Sequence, residues 1–335
     1  DAVAINRLKY VSLGDSMTNG LGHPGYYDSG YMEIAPNAYP AKLAAHYGWN
    51  LTQLATSAAR AEDFHYILEV GMPNAYEGDQ WTHTEMLGKD TMSIYGKPLE
   101  GQDRWGRDDV PDAAVVENFR KSVTEADVIT MAVGNGNFGV TFMDMTSQIM
   151  GLGGYNLDYS YATLENALAL NGVDAEITDV VMDTYNRALE YAKQRLPIDK
   201  VDVLADRVAY TVASFLINYE GLLDRIIELN PDVEVIIVSL VNNMYGFKLD
   251  IVQDGTTTTL DMAQFMDGIL SPVNAYIAGL AAYKQVSGAY PEATLYYADA
   301  YGIESWAQTF DEMYASDPEQ RAWCHSRFVP DIRGI

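Results

Sequence analysis

The stretch YVSLGDSMTNG, residues 10–20, bears on fold and function together. An apolar run through Tyr10, Val11 and Leu13 stops at Gly14-Asp15-Ser16, and small and polar residues follow. β-Rich apolar runs of this length, bounded by turn residues, read as strands. The run LKYVSLG (8–14) is joined by LTQLATS (51–57), DVITMAVG (127–134), VEVIIVSLV (233–241) and ATLYYADAY (293–301). Their near-continuous apolar character suits strands covered on both faces, as in a parallel sheet. Helical patterns lie between them, at 39–48, 61–70, 112–126, 177–196, 207–230 and 260–288. Pro272 predicts a break or kink in the last of these. Strands alternating with helices predict an α/β fold, a three-layer α/β/α sandwich around a five-stranded parallel sheet of flavodoxin-like type.

Two stretches exceed an ordinary connection. Residues 70–111 are rich in Gly, Asp, Trp and Tyr, and residues 140–175 in Met, Tyr and Gly. Long segments of this kind commonly build lids or binding loops. With no internal repeat or low-complexity linker, residues 1–335 read as one domain carrying these two insertions.

Composition narrows the function classes. A net charge of −26 repels phosphate backbones, so nucleic acid is not an expected partner. The longest apolar runs are strand-length, far short of the roughly 20 residues of a membrane span, so no transmembrane segment is expected. Cys324 is the only cysteine, which rules out an intrachain disulfide. The first ten residues lack the basic and apolar regions of a signal peptide, as would a mature chain whose signal had been removed. The 24 tyrosines against 9 phenylalanines suit a surface rich in amphipathic aromatics. A secreted or extracellular protein fits this best, and otherwise a cytoplasmic one. No zinc-type spacing, Gly-x-Gly-x-x-Gly or Walker loop is found, so no cofactor or metal is expected.

In a parallel α/β sheet, ligands bind beyond the C-terminal ends of the strands. Ser16 lies at that edge. The residues after it are expected to open a helix, whose N-terminus offers free N–H groups and the positive end of a dipole. Ser16 then reads either as a nucleophile with electrostatic help at hand or, with Asp15, as a helix cap.

The surrounding pattern resembles the GDSL, or SGNH, hydrolases. GDSMTNG matches their first block, Gly-Asp-Ser-x-Thr-x-Gly. LATSAARAED, with Ser57-Ala58-Ala59 and then Asp63, resembles the second, Ser-Gly-Ala-Thr with a following Asp. AVGNGNFG, residues 132–139, resembles the third, Gly-x-Asn-Asp. The blocks follow the first, second and third strands in the family's order. The resemblance implies an esterase or deacylase acting through an acyl-serine at Ser16 on a small-molecule, lipid or glycan ester. It also implies an oxyanion hole made of the Ser16 N–H, the N–H at Ala58 and the amide of Asn135 or Asn137. Ala58 replaces the family's glycine, and its N–H survives if the backbone there avoids positive φ. A one-residue shift is needed to bring Asn135 into register, so both asparagines stand as candidates.

The family's base is the histidine of an Asp-x-x-His after the fifth strand, and none of the five histidines here has Asp three residues before it. Three readings stand. His325, after the fifth strand, is the base with its acid elsewhere. The block lies beyond residue 335. Or Gln320 in DPEQ has replaced the histidine, leaving a non-catalytic ligand- or carbohydrate-binding protein. His65, a turn after the second block, is the runner-up base, and an acyltransferase using the same serine is a further rival. Trp81, Trp105, Tyr155, Tyr159 and Tyr161 in the insertions are expected to shape an acyl or sugar pocket, or else to pack those segments onto the core.

Overall fold

The computed structural model describes residues 7–21, 23, 26, 34–55, 59–69, 113–151, 159–170, 172–196, 201–242, 244, 247–253, 255–301 and 316–319. The five expected strands are all present, as β1 (Lys9–Gly14), β2 (Asn50–Gln53), β3 (Val128–Ala132), β4 (Glu234–Val238) and β7 (Thr294–Ala298). They form one parallel sheet in the order β2-β1-β3-β4-β7. β1 and β3 are central and buried along nearly their whole length, whereas β2 and β7, at the edges, are half-exposed. That contrast follows from coverage, since only inner strands have neighbours on both sides.

The chain moves one way from β1 to β2 and the other way at every later step. Right-handed crossovers therefore put α2 (Tyr39–Tyr47) on one face of the sheet. They put α3 (Ala61–Glu69), α4 (Ala113–Thr124), α8 (Val201–Leu229) and α9 (Met262–Val286) on the other. α8 is the central support of that face. Its Phe215, Tyr219, Leu222, Leu223 and Ile226 are fully buried in one core with Ile129 and Met131 of β3 and Val235 and Ile237 of β4.

Several local expectations change. Pro272 does not interrupt α9, which is continuous across it. Pro272 lies on the exposed side of the helix, where the carbonyl that loses its N–H partner can turn to water. The described part of 140–175 is mostly helix. α5 runs from Asn135 to Ile149, α6 spans Tyr161–Leu170, and α7 (Ala175–Arg195) opens on Asp174, whose side chain accepts the Glu176 N–H. α6 and α7 pack on α8 through a second small core that includes Tyr159, Leu168, Tyr185 and Tyr210. The glycines at 151, 153 and 154 fall between α5 and α6 and hide the helical pattern on either side. A hairpin of β5 (Lys248–Gln253) and β6 (Thr256–Asp261) also stands between β4 and α9. Its sequence signal is the Asp254-Gly255 pair, of the kind that turns tight hairpins. The segment 70–111, with Trp81 and Trp105, lies outside the described residues, as does Tyr155.

Candidate active site

β1 and β3 are neighbours, with Gly14 opposite Ala132, so the turns that leave them emerge side by side. The approach is close enough to demand glycine. A Cβ on Gly14 would strike the Thr18 side chain and come within 2.9 Å of the Ala132 carbonyl. Gly134 sits at φ +130°, a conformation L side chains rarely adopt, and a Cβ there would lie 2.6 Å from the Phe215 ring and 2.8 Å from Leu240.

Ser16 is half-buried and begins α1 (Ser16–Asn19), a single helical turn closed by Gly20 in the left-handed conformation. One turn sums few peptide dipoles, so the electrostatic help expected from a helix N-terminus is small here. Asp15 is the cap, as one reading of the sequence held: its Oδ1 accepts the Met17 N–H at 2.9 Å. Its Oδ2 does something the sequence did not suggest, accepting the Gly136 N–H of the third block at 2.6 Å. Asp15 is 1% exposed, and burial pushes its carboxyl up to about 7 against the opposing pull of those backbone donors.

Two further side chains tie the blocks together. Asn19 Nδ2 donates to the Ala55 carbonyl at 3.1 Å, and its Oδ1 accepts from Gln53 Nε2 at 2.7 Å, joining the first turn to the exit of β2. Asn137 Oδ1 accepts the Ala61 N–H at 3.0 Å, joining the third turn to the first residue of α3. Asp15, Asn19 and Asn137 thus link the three turns pairwise. Beside Ala61, Arg60 and Asp63 form a fully buried two-point ion pair, with Nη2 to Oδ1 at 2.7 Å and Nε to Oδ2 at 3.1 Å. Asp63 Oδ2 also accepts the Arg60 N–H. The second-block aspartate therefore fixes the start of α3. Ser57 and Ala58 lie outside the described residues.

The two candidate asparagines have different surroundings. Asn137 is fully buried, and its Nδ2 donates to Glu62 Oε2 at 2.5 Å while Glu62 Oε1 accepts from Ser214 Oγ. Both ends of its amide are spent on α3. Asn135 is half-buried, and its Oδ1 accepts the Val241 N–H at 3.2 Å, so Nδ2 is the end not used in that bond.

His65, the runner-up base, is 6% exposed between α3 and α8. Its Nδ1 meets Asn218 Oδ1 at 3.0 Å, and its ring lies where a Cβ on Gly221 would be 2.5 Å away. Burial holds it below the usual histidine range. These are the surroundings of a neutral core histidine wedged against a glycine of α8. His23 lies in the loop after α1, also shifted down by burial and by Lys42. His325, Gln320 and His83 lie outside the described residues. Tyr159, expected in a pocket or in the core, is 4% exposed, with the Arg207 guanidinium 4.4 Å over its ring and Tyr210 packed edge-on. Tyr161 is 38% exposed and packs edge-on against Tyr185. Among the described residues no helix is long and apolar enough to cross a membrane.

No protein-family model matches the chain, and no curated protein does. Solved structures are similar to it at low identity. An extracellular lipase from Streptomyces rimosus is 17% identical, with 87% of this chain and 80% of that one covered and a TM-score of 0.41. A phospholipase A1 from Streptomyces albidoflavus is 15% identical, with 93% and 85% covered and a TM-score of 0.41.

Proposed function

We propose that this chain is a serine ester hydrolase of the SGNH type, with Ser16 as nucleophile. The observation that carries the reading is the pairwise linkage of three turns by Asp15, Asn19 and Asn137 at the C-terminal edge of one sheet. Those turns carry the three sequence blocks, and catalytic groups need to be held together to within a fraction of an ångström. Ser16 Oγ attacks the ester carbonyl carbon, and its proton passes through the base to the departing alcohol. Water then attacks the acyl-serine, returning its proton by the same route. The Ser16 N–H, the Ala58 N–H and Asn135 Nδ2 receive the developing oxyanion. Asn135 is preferred to Asn137 because the amide of Asn137 is committed to Ala61 and Glu62. His325 is assigned as base on chain order, as the histidine that follows β7. The substrate is an acyl ester of a small molecule, lipid or glycan, and a secreted location goes with this reading.

A fluorophosphonate probe followed by peptide mapping tests it. Labelling at Ser16, lost in Ser16→Ala together with hydrolysis of p-nitrophenyl butyrate, is the expected result. Loss of labelling in His325→Ala would support the assigned base. Folded protein that takes up no probe would refute the hydrolase and favour the binding protein suggested by Gln320 at the histidine position.

A further inference from the structure

The amide of Asn135 is held by a part of the chain that no motif marks. Its Oδ1 accepts from Val241, just beyond β4. The residue before, Leu240, is gripped by a side chain. Leu240 N donates to Asn274 Oδ1 at 2.8 Å, and Asn274 Nδ2 donates to the Leu240 carbonyl at 2.9 Å. Asn274 is 4% exposed, on the buried side of α9. The last backbone rung beside it is Ser239 N to the Ala298 carbonyl at 3.0 Å. A carboxamide is the side chain that meets one backbone N–H and one C=O together, as a neighbouring strand would. Asn274 therefore extends the pairing of β4 one residue past the sheet. The Leu240 side chain is fully buried, close to where a Cβ on Gly134 would sit.

We propose that Asn274 is a positioning residue for the oxyanion donor: by clamping Leu240 it fixes the Val241 N–H, which sets the rotation of the Asn135 amide and so the direction of Nδ2. The inference rests on reading Asn135 as that donor. The terminal torsion of asparagine is soft and roughly two-fold. An N–H held against one end decides it, because the flipped amide would point its own NH2 at the Val241 N–H. Oxyanion donors act through preorganisation, so a donor free to rotate loses most of its effect.

A double-mutant cycle tests the coupling, using p-nitrophenyl butyrate hydrolysis and the rate of fluorophosphonate labelling, well below each variant's thermal midpoint. Asn274→Ala is expected to lower kcat about 10- to 100-fold, with KM little changed. In an Asn135→Ala background the same substitution is expected to change kcat by less than about twofold, because there is no amide left to misdirect. Asn274→Ser, a milder change that keeps one bond to Leu240, is expected to fall between, and serves if the alanine variant does not fold. An equal loss with and without Asn135, or no loss in Asn274→Ala, overturns the proposal while leaving the hydrolase reading intact. If Asn135→Ala keeps wild-type kcat while Ser16→Ala is inactive, the donor assignment itself fails, and this proposal falls with it.

Discussion

Asn135→Ala and Asn137→Ala, two residues apart on α5, are expected to fail in opposite ways. The Asn137 amide is buried and doubly bonded, to the Ala61 N–H at 3.0 Å and to Glu62 Oε2 at 2.5 Å. Truncation leaves a buried backbone N–H without an acceptor, at about 1–3 kcal/mol, and takes a donor from a buried carboxylate, at about 1.5–3 kcal/mol. Some of this is recovered by relaxation, so a loss of roughly 3–5 kcal/mol is expected, a large part of a typical domain's net stability. Asn135 is half-buried and makes one 3.2 Å bond through its oxygen, so its truncation costs about 1 kcal/mol of stability. Its cost falls on the reaction, where a lost oxyanion donor raises the barrier by about 3 kcal/mol and lowers kcat about 100- to 1000-fold. Urea denaturation followed by circular dichroism gives the first quantity and p-nitrophenyl butyrate turnover the second. The Asn135 variant should keep a near-wild-type midpoint and lose activity. The Asn137 variant should unfold early, and because it loses the link between the second and third turns but no oxyanion donor, its kcat per folded molecule should fall far less than that of the Asn135 variant. An Asn137 variant with an unchanged midpoint and a 100-fold lower kcat would reverse the two roles and refute the reasoning.

Asp15 gives a pH prediction. Its folded carboxyl titrates near 7 and an unfolded one near 3.9. Between those values the native state holds the extra proton, so this group's contribution is present below about pH 4 and is lost as pH rises toward 7, by about 4 kcal/mol in all. Asp15→Asn cannot titrate, and its stability relative to wild type should rise by an amount of this order between pH 4.5 and 8. Parallel profiles in urea titrations at several pH values would count against it. His65, lowered by burial, imposes the opposite slope below about pH 6.5 in both proteins and cancels from the comparison. Pro272→Ala, on the exposed side of an unbroken α9, should raise the urea midpoint by restoring a helical hydrogen bond, by up to about 3 kcal/mol. A lower midpoint would mean that the proline is tied to something other than helix geometry.

The strands and most helices were legible because burial on both faces leaves unbroken apolar runs, and because Gly48 and the acids of α3 mark helix ends locally. The stretch 140–175 reads as a long connection because Gly151, Gly153 and Gly154 fall between two helices, α5 and α6, and interrupt the helical period. The β5–β6 hairpin is marked in the sequence by Asp254-Gly255 alone, because its strands, KLDIVQ and TTTTLD, lack the unbroken apolar run of a buried strand. Of the site, Ser16 and the candidate asparagines could be named from three blocks in the right order. What each side chain does could not. Asp15 reads as a cap from its neighbours alone, and its bond to Gly136 spans 121 residues. His65 reads as a base by proximity in sequence, until α8 is packed over it.

By itself the sequence determined the periodicity and the order of the turns, since both are written in residues close together along the chain. Only the tertiary structure decided which polar side chains stay half-exposed and which are spent inside. Asn135 and Asn137 carry the same chemistry, and their difference lies in the partners at Val241 and at Ala61 and Glu62, from distant segments. A hydrogen bond is satisfied by whatever folding brings within about 3 Å, and local sequence does not encode that distance.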